Sequence, residues 1–145
     1  MKIVVLHGPN LNLLGSREPA LYGRQTLAEV EALLAERARE LGVELEARQS
    51  NSEGELVTWL QAAQEDAAGI IINPGGYSHT SVAIRDAIAA IGVPTVEVHL
   101  TNPAAREWFR QTDLVAGACR GTVAGFGAVG YVMALERLVE LASGG

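Results

Sequence analysis

The sequence from Ile3 to Gly23, IVVLHGPNLNLLGSREPALYG, joins a strand to an unusually long loop. The continuous apolar run from Ile3 to Leu6 predicts a strand that is buried on both faces, as in a parallel sheet. The next helix is predicted to begin at Thr26, where Thr-Leu-Ala-Glu forms a capping box. A strand-to-helix connection normally takes only a few residues, so we expect this loop of Gly, Pro, Asn and charged residues to be functional.

The rest of the chain repeats the same order of strand and helix. Further strands are predicted at 43–48, 69–72, 95–100 and 122–124, and helices at 26–41, 52–63, 81–91, 102–110 and 128–141. This order predicts an α/β fold, a flavodoxin-like three-layer sandwich in which helices cover both faces of a five-stranded parallel sheet. With 145 residues and 48% hydrophobic content, we expect one domain spanning residues 1–145.

The composition argues against several classes of protein. A net charge of -6 disfavours nucleic acid as a partner, because a polyanion calls for a basic face. No apolar run approaches the ~20 residues of a membrane span, and the start, Met-Lys followed by a strand, lacks the layout of a signal peptide. We therefore expect a cytoplasmic protein without membrane contact. The single cysteine, Cys119, excludes an internal disulfide and a cysteine-based zinc site, and its apolar surroundings favour simple packing.

Polar residues are concentrated where three of the predicted strands end. These segments are His7–Tyr22, Asn73–His79 and His99–Arg110. In open parallel sheets, binding sites form beyond the carboxyl ends of the strands. We therefore expect the three segments to converge in one pocket.

The glycines of Gly125–Gly130, GFGAVG, match the dinucleotide pattern G-x-G-x-x-G between a strand and a helix. A dinucleotide site also needs a following strand with an acidic residue for the ribose, and none is predicted here, so close helix packing explains these glycines better. Lys2 is the only lysine, which disfavours a lysine-based phosphate site. A phosphoacceptor receiver domain would need clustered carboxylates at positions that here hold His7–Asn10 and Asn73.

The remaining polar groups suit acid-base chemistry without a metal or cofactor. Tyr22 is a candidate base, because the neighbouring Arg17 would favour its phenolate, although a loop tyrosine is more often a surface residue. His79 and His99 each follow a strand, and Glu97 points the same way as His99 and could orient its ring. A lone histidine is usually structural, but for two at converging strand ends a functional role is as well supported as a structural one. We do not expect these histidines to bind metal, because no third ligand has a suitable spacing.

These residues resemble the type II 3-dehydroquinate dehydratase family of the shikimate pathway over essentially the whole chain. The resemblance rests on Gly8-Pro-Asn-Leu-Asn-Leu-Leu-Gly15, Arg17-Glu-Pro19, Tyr22-Gly23, Asn73-Pro-Gly-Gly, His79-Thr-Ser-Val-Ala-Ile-Arg-Asp86 and Glu97-Val-His-Leu-Thr-Asn102, in the family's order. Gln111-Thr112-Asp113 departs from the family pattern, where a His-rich segment is expected, and Pro103-Ala104 is also unusual. We expect these departures to affect the lid and subunit contacts more than the chemistry.

The resemblance implies that 3-dehydroquinate loses water in the anti sense, through an enolate, to give 3-dehydroshikimate. Tyr22 would remove the proton next to the ketone, while Arg17 keeps Tyr22 ionised and Asn10 holds a water at the enolate oxygen. His99 would protonate the leaving hydroxyl as general acid. The further residues that the resemblance assigns are Asn73 and Glu97, which place His99; His79, Asp86 and Arg110, which meet ring hydroxyls; and the backbone amides of Leu100 and Thr101, which bind the carboxylate at a helix start capped by Asn102.

Asp86 is predicted to face away from its own helix's core, opposite Ile84 and Ile88. A solvated carboxylate is one interpretation of this position. The resemblance offers another, because the family forms dodecamers built from trimers, in which this Asp reaches a neighbouring subunit's pocket. The competing hypothesis for the whole chain is a non-catalytic flavodoxin-like module that binds a small anion or nucleotide; it leaves Arg17 and Tyr22 without a role.

Overall fold

The computed structural model describes residues 1–144 and contains the α/β arrangement that the sequence predicts. Its strands and longer helices are, in chain order, β1 (Lys2–His7), α1 (Pro19–Tyr22), α2 (Leu27–Leu41), β2 (Glu44–Gln49), α3 (Glu53–Ala63), β3 (Gly69–Asn73), α4 (Val82–Ile91), β4 (Thr95–His99), β5 (Gly121–Ala124) and α5 (Val129–Ala142). Short 3-10 turns lie in the connections at Leu11–Leu13, Gly75–His79, Pro103–Ala105, Trp108–Arg110 and Ala116–Ala118.

The strands of residues 1–144 form one five-stranded parallel sheet in the order β2-β1-β3-β4-β5. This is the flavodoxin-like order, and the predicted fold class is confirmed. The register pairs His7 at the end of β1 with Asn73 at the end of β3, and His99 at the end of β4 with Ala124 in β5. The polar strand ends therefore lie along one edge of the sheet.

The core consists of two apolar layers, one on each face of the sheet. One layer packs α2 and α5 against the sheet through buried residues such as Leu34, Tyr131 and Leu135. The other packs α3 and α4 through residues such as Leu60 and Ile88. Strand β3, Gly-Ile-Ile-Ile-Asn, is buried along its whole length because both of its faces are covered.

Three of the predicted helix starts, at Thr26, Ser52 and Ser81, are confirmed by side-chain caps. The Thr26 hydroxyl oxygen accepts a hydrogen bond from the Glu29 backbone N–H at 3.2 Å. The Ser81 hydroxyl does the same for the Ile84 N–H at 2.9 Å, at the start of α4. Both caps satisfy backbone donors that the first helical turn leaves without an intrahelical partner.

The loops that follow β1 and β3 cross at van der Waals distance. A Cβ atom on Gly8 would lie 2.6 Å from the Pro74 carbonyl oxygen, so only glycine fits at this position. The Gly8 N–H donates to the Asn73 carbonyl oxygen at 2.7 Å. This contact fixes the two loops that deliver polar residues to the same edge of the sheet.

The structure corrects two predictions about the connecting segments. The predicted helix over 102–110 is instead two short 3-10 turns, because Arg106 has an extended backbone (φ -109°, ψ -160°) that ends the first turn. The loop before Thr26 contains the one-turn helix α1, whose last residue is Tyr22. No helix within residues 1–144 is long and apolar enough to cross a membrane.

Candidate active site

A cavity of about 40 Å³ lies at the carboxyl edge of the sheet, where the three polar segments meet. Eight of the predicted site residues line it: Arg17, Tyr22, Asn73, His79, His99, Leu100, Thr101 and Arg110. Polar groups from several loops converge here, as they do in sites that bind small polar molecules.

Tyr22 lies between two arginines. The Arg17 guanidinium carbon is 4.5 Å from the centre of the Tyr22 ring, and that of Arg106 is 5.2 Å from it. All three side chains are partly buried, so their interactions are less screened than at an open surface. A negative charge on the Tyr22 oxygen would therefore be attracted by two fixed cations.

Glu97 and His99 form the most buried ionisable pair of the site. Both point to the same face of β4, because side chains two residues apart on a strand share a face. Glu97 is fully buried, and its Oε2 is hydrogen-bonded to Nε2 of His99. Burial raises the pKa of Glu97 to about 10, and the nearby Asp113 carboxylate contributes to the rise. Burial also lowers the pKa of His99 to about 4, against the attraction of Asp113.

Between these two pKa values the pair holds one proton. With the proton on Glu97 both groups are neutral, which the buried surroundings favour. With the proton on His99 the pair is a carboxylate and an imidazolium. Nε2 of His99 contacts Glu97, so the other ring nitrogen, Nδ1, is the one that a ligand could use. The pair therefore binds one proton next to the cavity.

Asn73 and His79 are held in fixed orientations. The Asn73 Nδ2 donates to the Tyr131 hydroxyl at 3.1 Å, and its Oδ1 accepts from the Gly75 N–H at 3.1 Å. The His79 Nδ1 lies 2.9 Å from the Thr112 carbonyl oxygen, which can only accept, so this nitrogen carries the hydrogen. These contacts leave Nε2 of His79 as the nitrogen available to a ligand.

The Tyr131 hydroxyl extends the polar contacts of Asn73 beneath the site. This fully buried tyrosine lies 3.1 Å from Nδ1 of His7, which is itself fully buried, and Nε2 of His7 is 3.1 Å from a Glu31 carboxylate oxygen. Burial raises the pKa of Tyr131, so the hydroxyl stays neutral and can accept from Asn73 while donating to His7. His7 therefore supports Asn73 through Tyr131 and does not line the cavity.

The region around Arg110 differs from its predicted helical form. The Arg110 Nε donates to a Glu107 carboxylate oxygen at 2.8 Å, which holds the guanidinium at the cavity. Asn102 does cap a turn, since its Oδ1 accepts from the Ala104 N–H at 3.2 Å, but that turn has only three residues. The predicted helix start beside Leu100 and Thr101 is therefore wrong, and a short turn takes its place.

Three of the predicted site residues, Asn10, Asp86 and the buried Glu97, do not line the cavity that residues 1–144 form. Asn10 is exposed, has a left-handed backbone (φ 69°), and donates its N–H to the Asn51 side chain at 3.0 Å. Asn is one of the residue types that tolerate this conformation. Asp86 is exposed on the outer face of α4, as its spacing from Ile84 and Ile88 predicts.

Sequence reasoning missed Arg106 and Asp113. Arg106 donates to the Thr101 hydroxyl at 3.3 Å as well as facing Tyr22. Asp113 brings a carboxylate to within 3.9 Å of His99 Nε2. Ligand-type atoms of Glu97, His99 and Asp113 lie within 4.8 Å of one another. Because His99 Nε2 is already hydrogen-bonded to Glu97, we assign this cluster to proton binding.

Two other sequence features have structural explanations. A Cβ atom on Gly130 would lie 3.3 Å from a Val123 methyl group, so this glycine allows α5 to approach β5 closely. That contact agrees with the packing interpretation of the Gly125–Gly130 motif. Cys119 packs against the core, and burial, followed by the charges of Glu97 and Asp113, raises the pKa of its thiol to about 12.

Comparisons with known proteins agree over nearly the full length. The family model described as Dehydroquinase class II matches residues 1–139. The chain is 57% identical to the 3-dehydroquinate dehydratase of Phenylobacterium zucineum, over 97% of each protein. It is 54% identical to that of Pelotomaculum thermopropionicum, over 98% of this chain and 99% of the relative. The crystal structure of type II dehydroquinase from Butyrivibrio crossotus is similar with a TM-score of 0.93 at 41% identity, covering 95% of this chain and 97% of that one.

Proposed function

The chain belongs to the class II dehydroquinase family, and we propose that it is a hydro-lyase that converts 3-dehydroquinate to 3-dehydroshikimate. The reaction is an anti elimination of water through an enolate, a step of the shikimate pathway towards the aromatic amino acids. We also propose that it acts in the cytoplasm as a single catalytic domain. The alternative of a non-catalytic binding module is not favoured, since the relatives named above are dehydratases.

The observation that carries the proposal is the pairing of a candidate base with a candidate acid at one cavity. Tyr22 is flanked by two guanidiniums, at 4.5 Å and 5.2 Å, and His99 shares a proton with buried Glu97. Dehydration next to a ketone needs a base for the carbon-bound proton and an acid for the departing hydroxyl. Neither role requires a metal or an organic cofactor.

In the proposed first step, the Tyr22 phenolate takes the proton from the carbon next to the ketone. The electron pair of the broken C–H bond is delocalised onto the ketone oxygen, which gives an enolate. Arg17 and Arg106 stabilise the phenolate that begins the step. Asn10 holds the water that donates to the enolate oxygen, a role that requires its exposed side chain to turn into the cavity when substrate binds.

In the second step, the enolate collapses and the C–O bond to the hydroxyl breaks. His99 donates its proton to this hydroxyl, which leaves as water, and Glu97 stabilises and places the imidazole. Asn73 supports His99 from the end of the neighbouring strand β3. Tyr22 gains one proton and His99 loses one, so the overall charge of the cavity is unchanged.

The remaining polar residues are proposed to bind the substrate. Nε2 of His79 and the Arg110 guanidinium meet ring hydroxyls, and the backbone amides of Leu100 and Thr101 bind the carboxylate. Arg106 adds a positive charge beside Thr101, to which it donates a hydrogen bond at 3.3 Å. This local charge suits an anionic substrate on a protein whose net charge is -6.

The direct test of the activity is to mix the purified protein with 3-dehydroquinate and follow the absorbance of the conjugated enone product. We expect a rise that depends on protein concentration and is abolished by heat inactivation. A folded protein that gives no rise would refute the proposed activity. Borohydride added with substrate should leave the activity unchanged, since Lys2 is salt-bridged to Glu46 and Asp66 at the opposite edge of the sheet and no imine is formed.

We further propose that the chain assembles as a homododecamer, a tetramer of trimers, in which Asp86 reaches the cavity of a neighbouring subunit. Asp86 is exposed and lies one helical turn after Val82, whose side chain is also exposed. A carboxylate on an outer helix face, next to exposed apolar surface, suits a contact between subunits.

Subunit complementation tests this assembly. Tyr22→Phe and Asp86→Ala are unfolded together, refolded, and checked for mixed oligomers by native mass spectrometry. Some mixed pockets combine an intact Tyr22 with an intact Asp86 from the neighbour, so activity should exceed the sum of the separately refolded variants. Mixed oligomers whose rate only equals that sum would show that Asp86 does not act across an interface.

A further inference from the structure

Asp113 is fixed in space by the backbone that follows it. Its Oδ1 accepts hydrogen bonds from the N–H groups of Val115 and Ala116, both at 2.9 Å. These local bonds, to backbone groups two and three residues on, hold the carboxylate without using Oδ2. Oδ2 lies 3.9 Å from Nε2 of His99. The side chain is 31% exposed, so water screens this interaction only in part.

The other charged groups around His99 have opposite effects on a positive charge on its imidazole. Arg106 and His79, when charged, oppose a positive imidazole, whereas Asp113 favours it. Glu97 lies on the same strand but is held in its protonated form by burial. Burial opposes the ionisation of Asp113, but the neighbouring Glu97 carboxyl and then the N–H groups of Ala116 and Val115 outweigh it and lower the pKa of Asp113. At neutral pH, Asp113 is therefore the ionised carboxylate that faces His99.

We propose that Asp113 is a positioning residue of the general acid, whose fixed negative charge holds the shared proton on the Glu97–His99 pair. This inference rests on the proposed function, since it assigns His99 as the acid for the leaving hydroxyl. Asp113 itself does not touch the reacting atoms. It raises the proton affinity of the pair, so that His99 can still deliver a proton as the solution becomes more alkaline.

Asp113→Asn separates this role from a purely structural one. The Asn side chain keeps an oxygen that can accept from Val115 and Ala116, but it removes the charge. Asp113→Ser is a second uncharged variant with a good capping side chain, in case the first does not fold. Asp66→Asn is the matched control, because it removes the same charge from an exposed residue that pairs with Lys2 at the opposite edge of the sheet.

The first measurement needs no substrate. The ring nitrogens of His99 are followed by NMR as a function of pH, with the three histidines of the chain labelled with nitrogen-15. In Asp113→Asn, the midpoint at which the pair loses its proton should fall by about one pH unit, a roughly ten-fold loss of proton affinity. That value is the lower end of the range for an opposite charge at this separation, chosen because the side chain is partly exposed. Asp66→Asn should leave the midpoint unchanged.

The second measurement is the pH profile of kcat/KM with 3-dehydroquinate. The alkaline limb of Asp113→Asn should move to lower pH by the same amount as the NMR midpoint. An unmoved NMR midpoint in a folded uncharged variant overturns the proposal, whatever the activity. A shifted midpoint in a protein that does not turn over 3-dehydroquinate would support the electrostatic role of Asp113 and refute the proposed function instead.

Discussion

Replacing Arg17 with Met should slow the reaction by weakening the support for the Tyr22 phenolate. The Arg17 guanidinium carbon lies 4.5 Å from the Tyr22 ring centre. A phenolate charge is spread over the oxygen and the ring, and at about this separation its attraction to a unit positive charge is about 1 kcal/mol at the dielectric constant of water and about 4 kcal/mol at an effective value near 20. Both side chains are partly buried, so the true value lies between these limits. We therefore expect a loss in kcat of about five-fold to several hundred-fold.

The assay is a double-mutant cycle measured by enone formation. Arg17→Met, Tyr22→Phe and the double variant are compared with the unmodified protein, and circular dichroism checks that each is folded. If Arg17 acts through Tyr22, adding Arg17→Met to Tyr22→Phe should cost little further rate. Arg24→Met serves as the control, because it removes an equal charge from an exposed residue of the same loop.

Two outcomes would refute the role of Arg17. If Arg17→Met and Arg24→Met lower kcat equally, the effect comes from the net charge of the protein. If the losses from Arg17→Met and Tyr22→Phe multiply in the double variant, Arg17 acts independently of Tyr22. Arg17→Lys should recover part of the rate, since it keeps the charge but loses the planar contact with the ring.

Two further predictions concern stability. Tyr131→Phe should lower the free energy of unfolding in urea by about 2 to 4 kcal/mol, because it leaves buried groups of His7 and Asn73 without a hydrogen-bond partner. The control is Tyr77→Phe, which removes a partly exposed hydroxyl and should cost less than about 1 kcal/mol. Equal losses from the two variants would contradict this reasoning. Stability should also fall by about 1.4 kcal/mol per pH unit as the pH rises from 6.5 to about 10, because the folded Glu97–His99 pair keeps a proton that the unfolded chain has released. Glu97→Gln should flatten this slope, and an unchanged slope would contradict the assigned protonation.

The sequence predicts the fold well because its signals are local. Apolar runs mark β1 and β3, and the caps at Thr26, Ser52 and Ser81 depend on residues only three positions apart. The order of the strands can also be predicted, because successive β-α units allow few arrangements of a parallel sheet. Polar residues at strand ends were therefore enough to predict where the cavity lies.

The missed features depend on contacts between distant parts of the chain. Arg106 faces Tyr22 only because its extended backbone interrupts a helix that local patterns favour. Tyr131 meets His7 across 124 positions of sequence, and no periodicity indicates that its hydroxyl serves Asn73. Asp113 appears in the sequence as a departure from the family pattern. Its approach to His99 is produced by a connecting segment of short turns.

The measurement that tests the central claim most directly is the turnover of Tyr22→Phe. This change removes one oxygen from a partly buried side chain, so the fold and the binding of 3-dehydroquinate, measured by calorimetry, should be kept. Enone formation should fall by several orders of magnitude, because no group replaces the phenolate that takes the proton. Tyr77→Phe should turn over like the unmodified protein. A folded Tyr22→Phe that binds substrate and retains the full rate would contradict the assignment of Tyr22 as the base.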